Sequence, residues 1–306
     1  MALPQFTVSD LLNAGVHFGH RAFRWNPALK SYIFGERNGI HIIDLTQTVP
    51  MLYTALAAIE ATVARGGRVL FVGTRKQAQE AVKDAAEKCG MYYINHRWLG
   101  GLLTNWKTVS KSIKRLRELD EDFALSTAAD AKRAELQAAA TEENPFDPAS
   151  VADPLAHFTK KERLMRARER DNLKRVLGGI MNMAGLPDLV VVLSVHQDKI
   201  AVDEAGRLGI PVMGIVDTNS TDEGVTYVVP ANDDSSRAMD LYARLCSDAV
   251  LSGLAMQAQN APAVRTEGGV TQAPRNVGKQ ASFTLSKKAK EVAAADAAAP
   301  VESPAA

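Results

Sequence analysis

The chain has 306 residues, of which 46% are hydrophobic and 23% charged, with a formal net charge of +1. That length allows more than one folding unit, and that composition excludes a disordered or collagen-like chain. The near-neutral total argues against the uniformly basic surface of an isolated nucleic-acid-binding domain, but it conceals segregation: residues 105–117 hold five basic residues and no acid, whereas residues 118–153 hold ten acids beside only Lys132 and Arg133.

From the N-terminus, Met1-Ala2-Leu3-Pro4-Gln5 lacks a basic region followed by an apolar run, so no secretory signal is expected. Val16-His17-Phe18-Gly19-His20-Arg21 and Trp25-Asn26-Pro27 then bring cationic, aromatic and amide groups together. His17 and His20 stand at i, i+3 and can share an ion. No third ligand is visible, however, and structural zinc normally takes four. We therefore expect no metal, a packed or capping role for His17, and RNA contacts from His20, Arg21, Arg24, Trp25 and Asn26.

Short β-branched apolar runs follow at Ile40–Ile43, Val69–Val72, Tyr92–Ile94, 189–193, Val212–Val216 and 227–229. Runs of this kind predict strands buried on both faces, hence a parallel sheet. Helices are predicted between them. Residues 48–64 form one, with Pro50 near the start and Gly66-Gly67 after the end; 76–88, 199–208 and 235–251 form three more, the last capped by Asp233, Asp234 or Ser235. The alternation predicts a three-layer α/β sandwich.

It breaks between about 105 and 175. Trp106, Val109, Ile113, Leu116, Leu119 and Phe123 recur at helical spacing, and 158–177 gives a second, more basic helix. The two predict an antiparallel hairpin, with the Ala-rich, acidic piece between them as its tip or an insertion. The domains are therefore expected at 1–104 with 178–258 (sandwich), 105–177 (inserted hairpin) and 259–306, a Pro-, Ala- and Ser-rich tail that cannot bury enough surface to fold.

The strongest chemical signal is Asn95-His96-Arg97-Trp98-Leu99-Gly100-Gly101-Leu102-Leu103-Thr104-Asn105-Trp106-Lys107. Two of the three tryptophans flank a Gly-Gly turn among Arg, His, Asn and Lys, groups that stack on bases and grip phosphates. Arg97, Trp98, Gly100, Gly101, Asn105, Lys107, Lys111, Lys114 and Arg115 are the expected RNA contacts. Trp106, which continues the helix stripe, has the stronger claim to be core; Trp98 has the weaker. Lys107, Lys111, Lys114 and Arg115 fall at i, i+4, i+7 and i+8 on one face, and compensating acids at i±4 are expected to be absent.

No catalytic motif competes. Gly73-Thr74-Arg75-Lys76 follows a strand and opens a predicted helix, a position suited to an anion, but it lacks the spacing of a nucleotide loop. Asp188, Asp217 and Asp222 lie near strand ends, where a divalent ion or a turn are both open readings. Cys89 and Cys246 are far apart, so neither a disulfide framework nor a zinc ribbon is indicated.

The motifs Gly15-Val16-His17-Phe18-Gly19-His20, Trp25-Asn26-Pro27, Tyr32-Ile33-Phe34-Gly35, Asn38-Gly39-Ile40-His41-Ile42-Ile43-Asp44-Leu45 and the Asn95 to Asn105 run closely resemble the bacterial small-subunit ribosomal protein two family. Leu186-Pro187-Asp188, Gly209-Ile210-Pro211-Val212, Ile215-Val216-Asp217-Thr218-Asn219 and Pro230-Ala231-Asn232-Asp233-Asp234 extend the resemblance over roughly residues 6–256. The resemblance implies a flavodoxin-like sandwich with a mainly parallel five-stranded sheet and a coiled-coil hairpin. It also implies a non-catalytic place in the cytoplasmic ribosome, docked on small-subunit ribosomal RNA between head and body. Neighbouring ribosomal proteins, ribosomal protein one among them, are the implied partners; no cofactor, membrane or small-molecule substrate is implied. This chain departs from the family pattern at Ser194, where Asp is frequent, in the long acidic segment 118–154, and in the tail from Gln259. The competing readings are a nucleotide-dependent α/β enzyme, which needs a phosphate loop, and a hairpin scaffold that binds only protein.

Overall fold

The computed structural model describes residues 4–139 and 153–260. Five strands form a parallel sheet: β4 (Val69–Val72), β5 (Tyr92–Ile94), β6 (Leu189–Val192), β7 (Val212–Val216) and β8 (Tyr227–Pro230), in spatial order β5-β4-β6-β7-β8. Counted within the sheet, that order is 2-1-3-4-5, the flavodoxin-like arrangement. The chain enters through α1 (Val8–Ala14) and a separate three-stranded antiparallel sheet, β1 (Phe18–Arg21), β2 (Ile33–Arg37) and β3 (Ile40–Ile43), ordered β1-β3-β2. The apolar run Ile40–Ile43 is thus a strand, but not one of the parallel set. Asn38 and Gly39, both at positive φ, close a tight turn that pairs β3 back onto β2 before any crossover helix intervenes.

Strand alternation divides the core. Val69, Phe71, Leu189, Val191, Met213 and Ile215 face α1, α2 (Leu45–Ala64), α3 (Gln79–Cys89) and α7 (Ser236–Asn260). Leu70, Val72, Val190, Val192 and Val212 face the opposite way, onto α6 (Lys199–Arg207) and the segment around Trp98, Leu102 and Leu103. Helix-sheet-helix layering follows directly from period-two strands buried on both sides.

Helix ends shift where capping differs from the sequence pattern. Asp44 accepts from the Thr46 amide (3.0 Å), so α2 begins at Leu45 and Pro50 lies inside it rather than at its start. α3 begins three residues late, because Thr74 and Arg75 are held in the loop by partners described below. Asn232 accepts from the amides of Asp234 and Ser235, and the Ser235 carbonyl receives the first helical bond of α7.

The hairpin is α4 (Trp106–Ala139) and α5 (Lys160–Leu177). α4 has 34 residues, about 51 Å at 1.5 Å per residue, and absorbs much of the acidic tract expected at the tip. Ile113, Leu116 and Leu119 are buried along its inner face. The acids of α4 meet the bases of α5: Asp120 lies 3.5 Å from Lys174 and 4.0 Å from Arg170, and Arg170 stacks over the Phe123 ring at 4.5 Å. Gln259 and Asn260, expected to open the tail, still belong to α7; the remainder of the tail, and the expected tip over residues 140–152, lie outside the described residues. Among the described residues no helix is long and apolar enough to cross a membrane.

Candidate nucleic-acid interface

In a flavodoxin-like sheet the natural ligand crevice opens between the C-terminal ends of β4 and β6, where strand order reverses. Here that crevice is closed by the chain itself. Asp198, 3% exposed, accepts from the Thr74 hydroxyl (2.7 Å) and the Thr74 amide (3.2 Å). Arg75 pairs with Asp233 (3.3 Å) and with Asp234. The Gly73-Thr74-Arg75-Lys76 loop therefore receives internal carboxylates at the place an anionic cofactor would use.

His20 joins the same network. Its Nδ1 stands 3.1 Å from Asp217 and its Nε2 3.2 Å from Asp234, while its amide donates to the Thr218 hydroxyl (2.9 Å). The Asp217 carboxylate beside Nδ1 raises the imidazole above its ordinary 6.5 against the opposing effect of burial. Asp233 accepts from the Ser194 hydroxyl (2.6 Å) and is pushed up to about 7, first by burial and then by the charge of Asp217. His20, Asp217 and Asp233 offer ligand atoms within 4.8 Å of one another. The histidine pair read from sequence does not form this group, since His17 packs instead against the Phe18 ring. Arg75, His20 and Ser194 already contact these carboxylates, and one buried oxygen of Asp233 is left without a hydrogen-bond partner among the described residues. His20 thus bridges two carboxylates of the chain itself, with its side chain 16% exposed, where the sequence suggested an outward contact. Asn26 is likewise engaged within the chain: its Nδ2 donates to the Ser220 carbonyl (2.7 Å) and its Oδ1 accepts from the Ala28 amide (3.1 Å), fastening the segment after β1 to the turn after β7. Asp188 lies at the opposite end of the sheet, accepting from the Arg68 amide (2.7 Å), so it shares no site with Asp217.

Around that bridge Arg21, Arg24 and Trp25 remain exposed, Trp25 tilted over His41 at 5.4 Å. Sequence reasoning missed two exposed aromatics of the N-terminal region, Phe23 between Arg21 and Trp25 and Phe34 on β2, which are 72% and 78% exposed. Arg24 lies over the Phe23 ring at 5.5 Å. The missed signal was a pair of phenylalanines in a strand-and-turn region too short to have an inward face for both.

The Asn95–Lys107 segment leaves the end of β5 and turns sharply at Gly101, whose φ is +84°. The turn is organised around Glu204 of α6, a residue that sequence reasoning did not single out. One carboxylate oxygen of Glu204 accepts from Trp98 Nε1 (3.1 Å) and the Gly101 amide (2.7 Å). The other accepts from the amides of Leu103 (3.0 Å) and Thr104 (3.2 Å) and from the Thr104 hydroxyl (3.2 Å). Burial works to raise this carboxyl, but the donors of Trp98 and of the backbone outweigh it and hold the group below its ordinary value. Trp98 is 7% exposed and its indole N–H serves Glu204. The ring expected to stack on RNA is thus packed in the core here. Trp106 is only partly buried, reversing the order expected for the two.

Beyond the turn, Asn105 precedes α4, and its Oδ1 accepts from the Thr108 hydroxyl (2.9 Å). Arg97, Gly100, Asn105, Lys107, Lys111 and Lys114 are exposed, and Arg115 is 40% exposed. Compensating acids are present for two of these cations. Glu118 lies 4.0 Å from Lys114 and 3.9 Å from Arg115, and Glu169 lies 3.3 Å from Arg115. The first stands at i+4, just past the acid-free stretch, and the second arrives from the other helix. Among the described residues Lys107 and Lys111 have no ion pair.

Comparison with known proteins places this architecture. A family model described as Ribosomal protein S2 matches residues 11–147 and 147–253. The chain is 49% identical over 277 residues to the small ribosomal subunit protein uS2 of Rhodospirillum centenum, covering 90% of this chain and 95% of that one. It is 53% identical over 254 residues to the protein of the same description from a Bradyrhizobium species, and 54% over 254 residues to that of Rhodopseudomonas palustris; each match covers 83% of this chain and 69% of the relative.

Proposed function

Because the chain belongs to the Ribosomal protein S2 family, a family of structural rather than catalytic proteins, we propose that it is a constituent of the small subunit of the cytoplasmic ribosome that binds small-subunit ribosomal RNA. The contacts are Arg97, Gly100, Asn105, Lys107 and Lys111, supplemented by Lys114 and Arg115 and by the exposed group of Arg21, Arg24 and Trp25. Neighbouring ribosomal proteins, ribosomal protein one among them, complete the partners. The sandwich (1–104 and 178–258) anchors the protein, and the hairpin (105–177) is an arm inserted into it. No small-molecule substrate enters this reading.

One observation carries the RNA assignment. Lys107 and Lys111 are exposed, lack carboxylate partners among the described residues and follow a turn fixed at five points to Glu204. Phosphate binding draws on cations that the protein has not already neutralised. The closed crevice between Thr74 and Asp198 supports a binding role over a nucleotide-dependent one. Co-sedimentation of the purified protein with small-subunit ribosomal RNA over a range of salt tests the reading. Association that weakens linearly in log–log salt is expected; no association, or association with any RNA of equal length equally well, would overturn it.

A further inference from the structure

Glu204 sits on the apolar face of α6 beside the buried Ala201, Val202 and Ala205, and is itself 5% exposed. A carboxylate removed from water is costly unless donors replace its hydration. All five donors here belong to residues 98–104, about a hundred positions earlier in the chain. Three of them are backbone amides converging on one point, the kind of concavity in which proteins hold anions. The Gly-Gly turn is thus an anion cradle, and the anion in it is the chain's own.

We propose that Glu204 is a positioning residue for RNA binding: by filling this cradle it fixes where Arg97, Asn105 and Lys107 stand. The inference rests on the RNA-binding reading above. Arg97 adjoins Trp98, anchored through its indole, while Asn105 follows Thr104, anchored through both amide and hydroxyl. Neither flank can swing without breaking a bond to Glu204. Pre-ordering the segment removes an ordering cost that RNA association would otherwise bear. It also denies the three amides to RNA phosphates, so contact at the turn comes from outward side chains and from Gly100, where an added Cβ would point into open space.

Glu204→Gln tests this in the full-length protein, because it keeps the side chain's size but sets an NH2 against backbone N–H donors. Hydrogen exchange should rise in 98–104 and stay unchanged in Val69–Val72 and Leu189–Val192. Affinity for small-subunit ribosomal RNA should fall about tenfold, the scale of losing the order of one or two side chains. The log–log salt slope should not change, since Glu204 touches no phosphate. Faster exchange in the turn with unchanged RNA affinity would assign Glu204 to the core alone and overturn the proposal. A reduced slope would overturn it too, by placing the loss in phosphate contacts. If Glu204→Gln does not fold, Trp98→Phe removes one donor while keeping an aromatic ring. It should give the same pattern at smaller size, and a loosened turn with wild-type affinity would again refute positioning. Failure of the wild-type protein to bind the RNA overturns the RNA-binding reading itself, which separates that outcome from the others.

Discussion

Replacing Lys107 and Lys111 with Gln should weaken RNA association more than replacing Lys114 and Arg115. The two pairs lie on the same face of one helix and carry the same charge, so a simple count of cations predicts no difference. Their partners differ. Lys107 and Lys111 lie four residues apart, about 6 Å along the axis, with no ion pair among the described residues. Lys114 and Arg115 share Glu118 at 4.0 and 3.9 Å, and Arg115 also meets Glu169 at 3.3 Å. A phosphate that engages Lys114 or Arg115 must compete with these carboxylates. Exposed pairs of this kind are worth about 0.2–1 kcal/mol, so the competition reduces the gain by about 1.4- to 5-fold per pair.

The first double variant should lose about 1.4–1.8 in log–log salt slope, at about 0.7–0.9 per phosphate contact; the second should lose visibly less. Gln has nearly the helix propensity of Lys and Arg, so circular dichroism should report the same helix content in all three proteins. Filter binding to small-subunit ribosomal RNA at five or more salt concentrations measures the slopes. Equal losses from the two pairs, or a larger one from Lys114 and Arg115, would refute the claim that internal counter-ions decide which cations meet RNA.

Phe71→Ala in β4 removes a fully buried ring from the sheet face against α2, α3 and α7, and should cost about 3–5 kcal/mol in urea unfolding. Gly101→Ala forces a side chain to φ +84° and should cost about 1–2 kcal/mol, whereas Gly100→Ala meets open space and should leave the unfolding midpoint unchanged while lowering RNA affinity. Asp233 carries a raised value of about 7, so its contribution is full below its unfolded 3.8 and is lost as pH rises towards 7; the raised His20 adds a loss above 6.5 in the same direction. Asp233→Asn should therefore flatten the decline in stability between about pH 4 and 7, measured by urea midpoints at stepped pH, and a decline as steep as wild type would count against this assignment.

What was legible in the sequence follows from the range of the forces involved. All six apolar runs are strands, and in β4, β6 and β7 burial on both faces writes itself into four or five consecutive residues. The misplacement of Ile40–Ile43 came from the one fact such a run omits, which is the partner. Helix starts moved with caps at Asp44 and Asn232, whose effect extends only two or three residues, so those errors were small. Charge was harder to read, since a counter-ion need not be near in sequence. Acid-free residues 105–117 looked uncompensated, yet Glu118 stands one position past them and Glu169 meets Arg115 from 54 residues away. His20 and Asn26 looked free for outward contacts because their partners, Asp217, Asp234 and Ser220, lie about two hundred residues on. Trp98 looked exposed because the carboxylate that accepts its indole N–H is on α6. The trace of Glu204 was nonetheless present: an acid at helical spacing among Ala201, Val202 and Ala205, where only a residue with its own donors can be buried. A search for charged residues on apolar helix faces would have found it. The same accounting, applied to Lys107, Lys111, Lys114 and Arg115, leaves Lys107 and Lys111 as the pair whose charge no described carboxylate balances, which is why the RNA assignment rests on them rather than on the tryptophans.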